Sequence, residues 1–244
     1  MHLFNFLRIA CKLCLHLCYY MAMNDLSENL LNLRRKYREI FKTASEEIAK
    51  RVEALRPDGV TGEFFDVGNK IWQDAVLKMF DDEIARDIYI KWQEILAYRK
   101  MFSCNRCATC CNLACSEFSP EELKTKADAG DKFAAQFLSV FEPYKNQEEA
   151  QKVYPEYMKL LEENKEDKVY FYHCPKLSEC KLCTDYENRP QICRDFPDNP
   201  LSILPKSCGF YEWKQEVEPV ALLCHSMMEI IEFYKEKICT SCRD

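Results

Sequence analysis

Between Ser103 and Cys115 the chain reads SCNRCATCCNLAC, five cysteines in thirteen residues. Cys104 and Cys107 stand at C-x2-C spacing, and Cys107 and Cys110 repeat it. Two thiols at that spacing can approach one metal from a single tight turn. As thiolates they suit zinc, with Zn–S bonds of about 2.3 Å, or an iron–sulfur cluster. The run departs from the bacterial ferredoxin pattern: the fourth cysteine would fall at Ala114, and Cys115 comes one residue later. It also departs from the C-x3-C-x2-C of radical enzymes, because Leu113 and Ala114 follow Cys111 where a thiol in register is needed.

Cys110 and Cys111 are adjacent. Neighbouring side chains point to opposite faces of an extended chain and about 100° apart in a helix. The pair is therefore poorly placed to ligate one ion. Cys110 reads as the third member of the Cys104/Cys107 turn. Cys111 is expected to face the later cysteines, where it completes a second centre or packs as a buried thiol, a common state of free cysteine.

Those later cysteines are Cys174, Cys180, Cys183 and Cys193, with Cys208 beyond. Pro190 is suited to open a short helix with Asn188 as its cap. Cys193 would then lie in the first turn, where the positive end of the helix favours thiolate. Arg189 and Arg194 flank it and would offset an anionic thiolate cluster. Tyr186 and Phe196 are expected to pack around the site and limit water.

The segments CNRCATCC, HCP and CTDYENRPQICRDFP, followed by a further cysteine, resemble the CxxCxxCC cysteine-cluster family of zinc- or iron-chelating proteins. The resemblance covers roughly residues 100–212. Eight positions match: Cys104, Cys107, Cys110, Cys111, Cys174, Cys183, Cys193 and Cys208. It implies that these are metal ligands, and that the cofactor is an iron–sulfur cluster or zinc, held in one cluster or in two four-thiolate sites. Cys115 and Cys180 go beyond the pattern. Flagellin lysine-N-methylases share the cluster, but no S-adenosylmethionine site is recognisable here, so that activity is not carried over and enzyme status stays open. His173 and His225 each adjoin a cysteine and could replace a thiol, although lone histidines are more often structural or solvated. The CTSC run, Cys239 to Cys242, is read as a tail rather than a redox pair.

The rest of the chain must hold these groups in place. It has 244 residues, 48% hydrophobic and 30% charged, enough for a sizeable core. Forty Asp and Glu against 34 Lys and Arg give a net charge of −6, which lacks the basic footprint of a nucleic-acid binder. Five glycines form no phosphate-cradling loop, and neither H-E-x-x-H nor G-x-S-x-G occurs. Sixteen cysteines would suggest disulfides in a small secreted protein. This chain is too large and too rich in ordinary core residues to need them, and it shows no convincing export signal. The reading is a cytoplasmic protein. The leading segment, residues 1–23, is apolar but interrupted by Arg8, Lys12 and His16, so no transmembrane span is expected. That segment is expected to be dispensable, with translation starting at Met21 or Met23. The alternative is a membrane-surface helix, because Asn5, Arg8, Lys12 and His16 line one face.

From Leu26 an apolar stripe through Leu30, Leu33, Tyr37, Ile40, Ala44, Ile48, Val52 and Leu55 predicts one long helix up to Pro57. NKIWQDAVLKMF and EIARDIYIKWQEILAYRK read as two more, making residues 24–100 a helical module. A metal-binding domain follows over 101–215, with a helical insertion at about 119–165. Within it Ser119 is a cap, Pro120 the first helical residue, Glu122 the third, and Gly130 a stop. QEEAQKVYPEYMKLLEENK is expected to be helical, and KVYFYH is the best strand. Residues 216–244 form a closing helix and tail, with Val220, Leu223, Met227, Ile230, Tyr234 and Ile238 as its stripe. The predicted fold is mainly α, with helical flanks around a loop-rich, cysteine-clustered core and little β. The predicted function is metal binding, with iron–sulfur electron transfer or an accessory role to an enzyme. A zinc-stabilised interaction module or a metallochaperone is the alternative. The expected partners are the metal or cluster and a protein, with no nucleic acid.

Overall fold

Without a glycine or proline from residue 2 to 54, nothing interrupts helix α1, His2–Ala54. It ends where Pro57 follows and where Gly59 turns the chain at φ +80°. The computed structural model describes residues 2–153, 155, 157–159 and 169–241, with residues 2–26, 147 and 241 described in their backbone alone. The chain divides into two units, Met1–Leu31 with Ser103–Tyr211, and Asn32–Phe102 with Glu212–Asp244.

The unit built on Asn32–Phe102 is helical. Helix α2, Lys70–Met79, passes through a π turn, Phe80–Ile84, into α3, Ala85–Arg99. The sequence suggested two separate helices here. No residue between Phe80 and Ile84 breaks a helix, and the wider turn lets both of those side chains reach the core, where they are buried. Ala44, Ile48 and Val52 of α1 pack against them, along with Phe64 and Trp72. Trp72 Nε1 donates to Val52 O at 2.7 Å, so the indole is buried without an orphaned donor. The last helix runs Tyr211–Ser241, starting earlier than predicted. Trp213 sets its buried face, and Val217, Ala221 and Cys224 follow at steps of three and four. Ile230 and Ile238 of the expected stripe are buried, and Met227 and Tyr234 pack against the core. Val220 and Leu223 are each 38% exposed, because the Trp213 register turns them outward. Lys214 and Glu218 are buried as an ion pair, and Lys36 reaches Glu218 at 2.7 Å.

The unit built on Ser103–Tyr211 holds a small antiparallel sheet. Its strands are β1, Ala114–Ser116, β2, Glu142–Pro143, and β3, Tyr170–His173, with β3 in the middle. The predicted strand is thus the central one. Ala114 pairs with Tyr172, and Glu142 with His173. Helix α4, Thr109–Asn112, precedes β1. Helix α5, Pro120–Asp128, starts at the predicted capping box: Ser119 Oγ accepts from Glu122 N–H, and the Glu122 carboxylate accepts from Ser119 N–H at 2.7 Å. Gly130, at φ +92°, ends that stretch, and Asp131 caps α6, Lys132–Val140. Leu123, Ala134, Phe137 and Tyr172 make the small core beneath. Helix α7, Gln147–Val153, begins the next predicted helix, whose end lies outside the described residues. The loop-rich segment after β3 contains one short helix, α8, Gln191–Asp195. The fold is mainly α with little β. Among the described residues, no helix is long and apolar enough to cross a membrane.

Candidate metal centre

The first cysteine loop is bent by two left-handed residues, Arg106 at φ 64° and Ala108 at φ 65°. Ala108 then starts α4, accepting the N–H of Asn112 at 2.9 Å. Cys104 and Cys107 therefore lie on the bends, and Cys110 and Cys111 on the helical turn. Asn105 ties this loop to a distant segment. Its Nδ2 donates to Ser207 O at 2.6 Å, and its Oδ1 accepts from Gly209 N–H at 3.0 Å. Gly209 is the residue the approach requires: a Cβ there would sit 2.1 Å from Ser103 O. The result sets Cys208 against Cys107, and the Cys208 thiol donates to the Cys107 sulfur.

The second loop is brought up separately. Cys174 N–H donates to Cys111 O at 2.7 Å. A tight hairpin follows, closed by the Leu177–Cys183 bridge and by Ser178 N–H to Leu182 O at 2.9 Å, with Lys181 at φ 58°. This folds Cys183 back towards Cys174. Helix α8 carries Cys193, which interacts electrostatically with Cys111, Cys174 and Cys183.

The eight thiols fall into two sets by the charges that act on one another. Cys110 responds to Cys107 and Cys104, and Cys208 to the same two. Cys174 responds to Cys111 and Cys183. The sets are thus Cys104, Cys107, Cys110, Cys208 and Cys111, Cys174, Cys183, Cys193. They meet where Cys111 also feels Cys107 and where the Cys110 thiol donates to Cys111. The adjacent pair was expected to diverge. In a helical turn its side chains are only about 100° apart, so the two thiols touch while facing different partners.

The electrostatics follow from these contacts. The hydrogen bond from Cys208 holds Cys107 down at about 6, against the opposing effect of burial. Giving that bond, together with burial, pushes Cys208 up. Cys110, the donor to Cys111 and buried besides, is likewise pushed up, and Cys111 is lowered. Cys193 was expected to be favoured as thiolate by its helix. Burial instead raises it to about 11, and neighbouring thiolates add to this, with Arg189 opposing. Its helix has only five residues, and Asn188 does not cap it: the Asn188 amide donates to Asp185 at 2.9 Å.

Four sulfurs share one local device, a backbone N–H two residues on. Arg106 N–H donates to Cys104 at 3.4 Å, Thr109 to Cys107, Lys176 to Cys174 and Phe210 to Cys208. Such bonds favour the thiolate form that a metal needs. The donor set is all sulfur, which suits zinc or iron. Among the described residues no three His, Cys, Asp or Glu side chains are gathered closely enough to hold an ion as they stand. The hydrogen-bonded thiols meet in pairs, Cys107 with Cys208 and Cys110 with Cys111.

Tyr186 lies against both loops. Its hydroxyl donates to Cys104 O at 2.9 Å. Arg106 covers one ring contact at 3.8 Å from the centroid, and Arg189 another at 3.7 Å. Arg189 Nε donates to Tyr186 O at 3.0 Å, and its charge lowers Cys111 and Cys193. Arg194, also expected to face the thiolates, sends Nε to Arg189 O and Nη2 to Glu187 O. Asn105, Arg106 and Gly209 were not singled out from the sequence, since nothing in a C-x2-C loop marks which intervening residue reaches a partner a hundred positions away. Cys115 and Cys180 are exposed. His173 stacks on Tyr144 with centroids 4.9 Å apart, and His225 lies 3.5 Å from Glu229 in the helical unit. Cys239 is exposed at the end of the last helix, and its CTSC partner Cys242 lies outside the described residues.

Compared with known proteins, the family model CxxCxxCC, described as "Putative zinc- or iron-chelating domain", matches residues 103–225, half of the chain. No curated protein and no solved structure matches.

Proposed function

The chain belongs to the CxxCxxCC family, and from that premise we propose that it binds metal in two four-cysteine centres. Cys104, Cys107, Cys110 and Cys208 form the first; Cys111, Cys174, Cys183 and Cys193 form the second. The observation that carries this reading is a pair of backbone locks: Asn105 and Gly209 bring Cys208 to the first loop, and the bond from Cys174 N–H to Cys111 O brings the second loop to Cys111. When bound, the metal supplies either electron transfer, as an iron–sulfur cluster, or a cross-link, as zinc. The protein's part is to oppose the burial of its sulfurs through the N–H bonds to Cys104, Cys107, Cys174 and Cys208, and to set the positive charge of Arg189 beside the second set.

Iron–sulfur electron transfer, or service to an enzyme, is the first reading. A carrier that exchanges its metal with a partner is the second. It is favoured by partial exposure, because all eight sulfur-bearing residues are intermediate between buried and exposed. Anaerobic purification with iron, zinc and acid-labile sulfide analysis tests both. Brown protein with sulfide supports the first. Colourless protein whose metal passes readily to a chelator supports the second. Metal content that survives Ser at both Cys107 and Cys193 would overturn the assignment altogether.

A further inference from the structure

Tyr186 belongs to neither set of thiols, yet it touches the elements that carry both. Towards the first set its hydroxyl holds the carbonyl of Cys104 at 2.9 Å. Arg106, which stands between Cys104 and Cys107, lies on its ring at 3.8 Å and donates its own backbone N–H to the Cys104 sulfur. Towards the second set the ring carries Arg189 at 3.7 Å, whose Nε is tied to the Tyr186 carbonyl. Arg189 directly precedes Pro190, whose carbonyl accepts the N–H of Cys193 at 3.0 Å. The two arginines thus differ in their roles. Arg106 braces the first loop, and Arg189 brings a cation to the second set.

We infer that Tyr186 is a positioning residue that couples the two centres, so that filling one raises the affinity of the other. This inference rests on the two-centre reading above. Drawing Cys104 and Cys107 around a metal sets the loop on which Tyr186 is anchored. An ordered Tyr186 ring then holds Arg189 where it offsets the negative charge of the second thiolate set. A group ordered once by the first metal need not be ordered again for the second, which makes the effect reciprocal. The peptide bond between Cys110 and Cys111 is a separate link, so Tyr186 contributes a share of the coupling rather than all of it.

The test is an anaerobic titration of the reduced full chain with Co(II), read by sulfur-to-cobalt charge-transfer absorption, in the parent, Tyr186→Phe and Tyr186→Leu. The parent is expected to take up two equivalents in one cooperative phase. Tyr186→Leu is expected to take up the same two equivalents with the coupling factor reduced about tenfold, within the usual range for coupled sites. Tyr186→Phe keeps the ring between the arginines and should fall between the two. A residue that served folding alone would lower both affinities or the stoichiometry and leave the coupling factor of the bound fraction unchanged; that result overturns the inference. Independent filling of the two centres in the parent overturns it too. A parent that binds a single equivalent would remove the two-centre reading itself, and the coupling with it.

Discussion

The thiols of Cys110 and Cys111 touch, and both respond to Cys107, yet their further partners differ. Cys110 also responds to Cys104, and Cys111 acts on Cys174 and Cys193. Serine at either position is therefore expected to remove one of two metal equivalents, and serine at both to remove two. Metal analysis of the three variants checks this; a double variant that keeps one equivalent would show that the pair serves a single centre. A different single-residue prediction concerns Glu218, buried between Lys214 and Lys36. Removing its charge leaves Lys214 buried without a counterion, so Glu218→Gln should cost about 3–5 kcal/mol in denaturant unfolding. The pair also predicts a pH dependence. Lys214 and Lys36 hold the Glu218 carboxyl below its usual range despite its burial. A carboxylate lowered in the folded state stabilises above its unfolded pKa, and that contribution is lost as pH falls through the folded value. Acid unfolding of the parent should therefore steepen below the ordinary carboxylate range, and Glu218→Gln should flatten it.

At the scale of elements, the proposed first centre depends on two chain segments lying almost in backbone contact. Gly209 meets Ser103 O and Asn105 N where a side chain would overlap them. Gly209→Ala should push the Cys208 segment off the first loop and lower the metal content of the first centre, while the second centre keeps its equivalent. Equal loss from both centres would count against this. The hairpin that carries Cys174 and Cys183 has its own closing bonds, from Ser178 to Leu182 and from Thr184 to Lys176. It can therefore keep its shape when the first loop is disturbed.

At the scale of the molecule, the two units are built on different physics. The helical unit has a continuous apolar core of Ile48, Trp72, Phe80, Ile84 and Ile230 among others. All eight candidate ligands lie in the other unit, between Ser103 and Tyr211, whose apolar clusters are small. Thiolate sites of this kind lend binding energy of about 10 kcal/mol or more to folding. Removing metal with a chelator under reducing conditions should therefore open residues 103–211 to protease, with early cuts in the 174–208 loop, while helicity changes little. Uniform digestion of both units, or none, would contradict that division.

Much of this architecture is legible in the sequence. The Ser119–Glu122 box, the Gly130 stop, the long helix before Pro57 and the YFYH strand are written in local patterns, and local patterns act through neighbours a few residues away. The C-x2-C spacing marks Cys104, Cys107 and Cys110 as near neighbours, but the structure puts the first two on bends and the third on a helical turn. What the tertiary structure decided are the meetings across long stretches of chain. Cys208 reaches Cys107 because Asn105 and Gly209 lock two segments a hundred residues apart. Cys111 joins the later cysteines because Cys174 N–H bonds its carbonyl. The register of the last helix follows from Trp213 finding Ile95 O, and no periodicity within that helix states it. The sequence lists thiols and turns in order along the chain. Which sulfur comes near which is settled by loop closure, and that depends on distant backbone groups that carry no local signature.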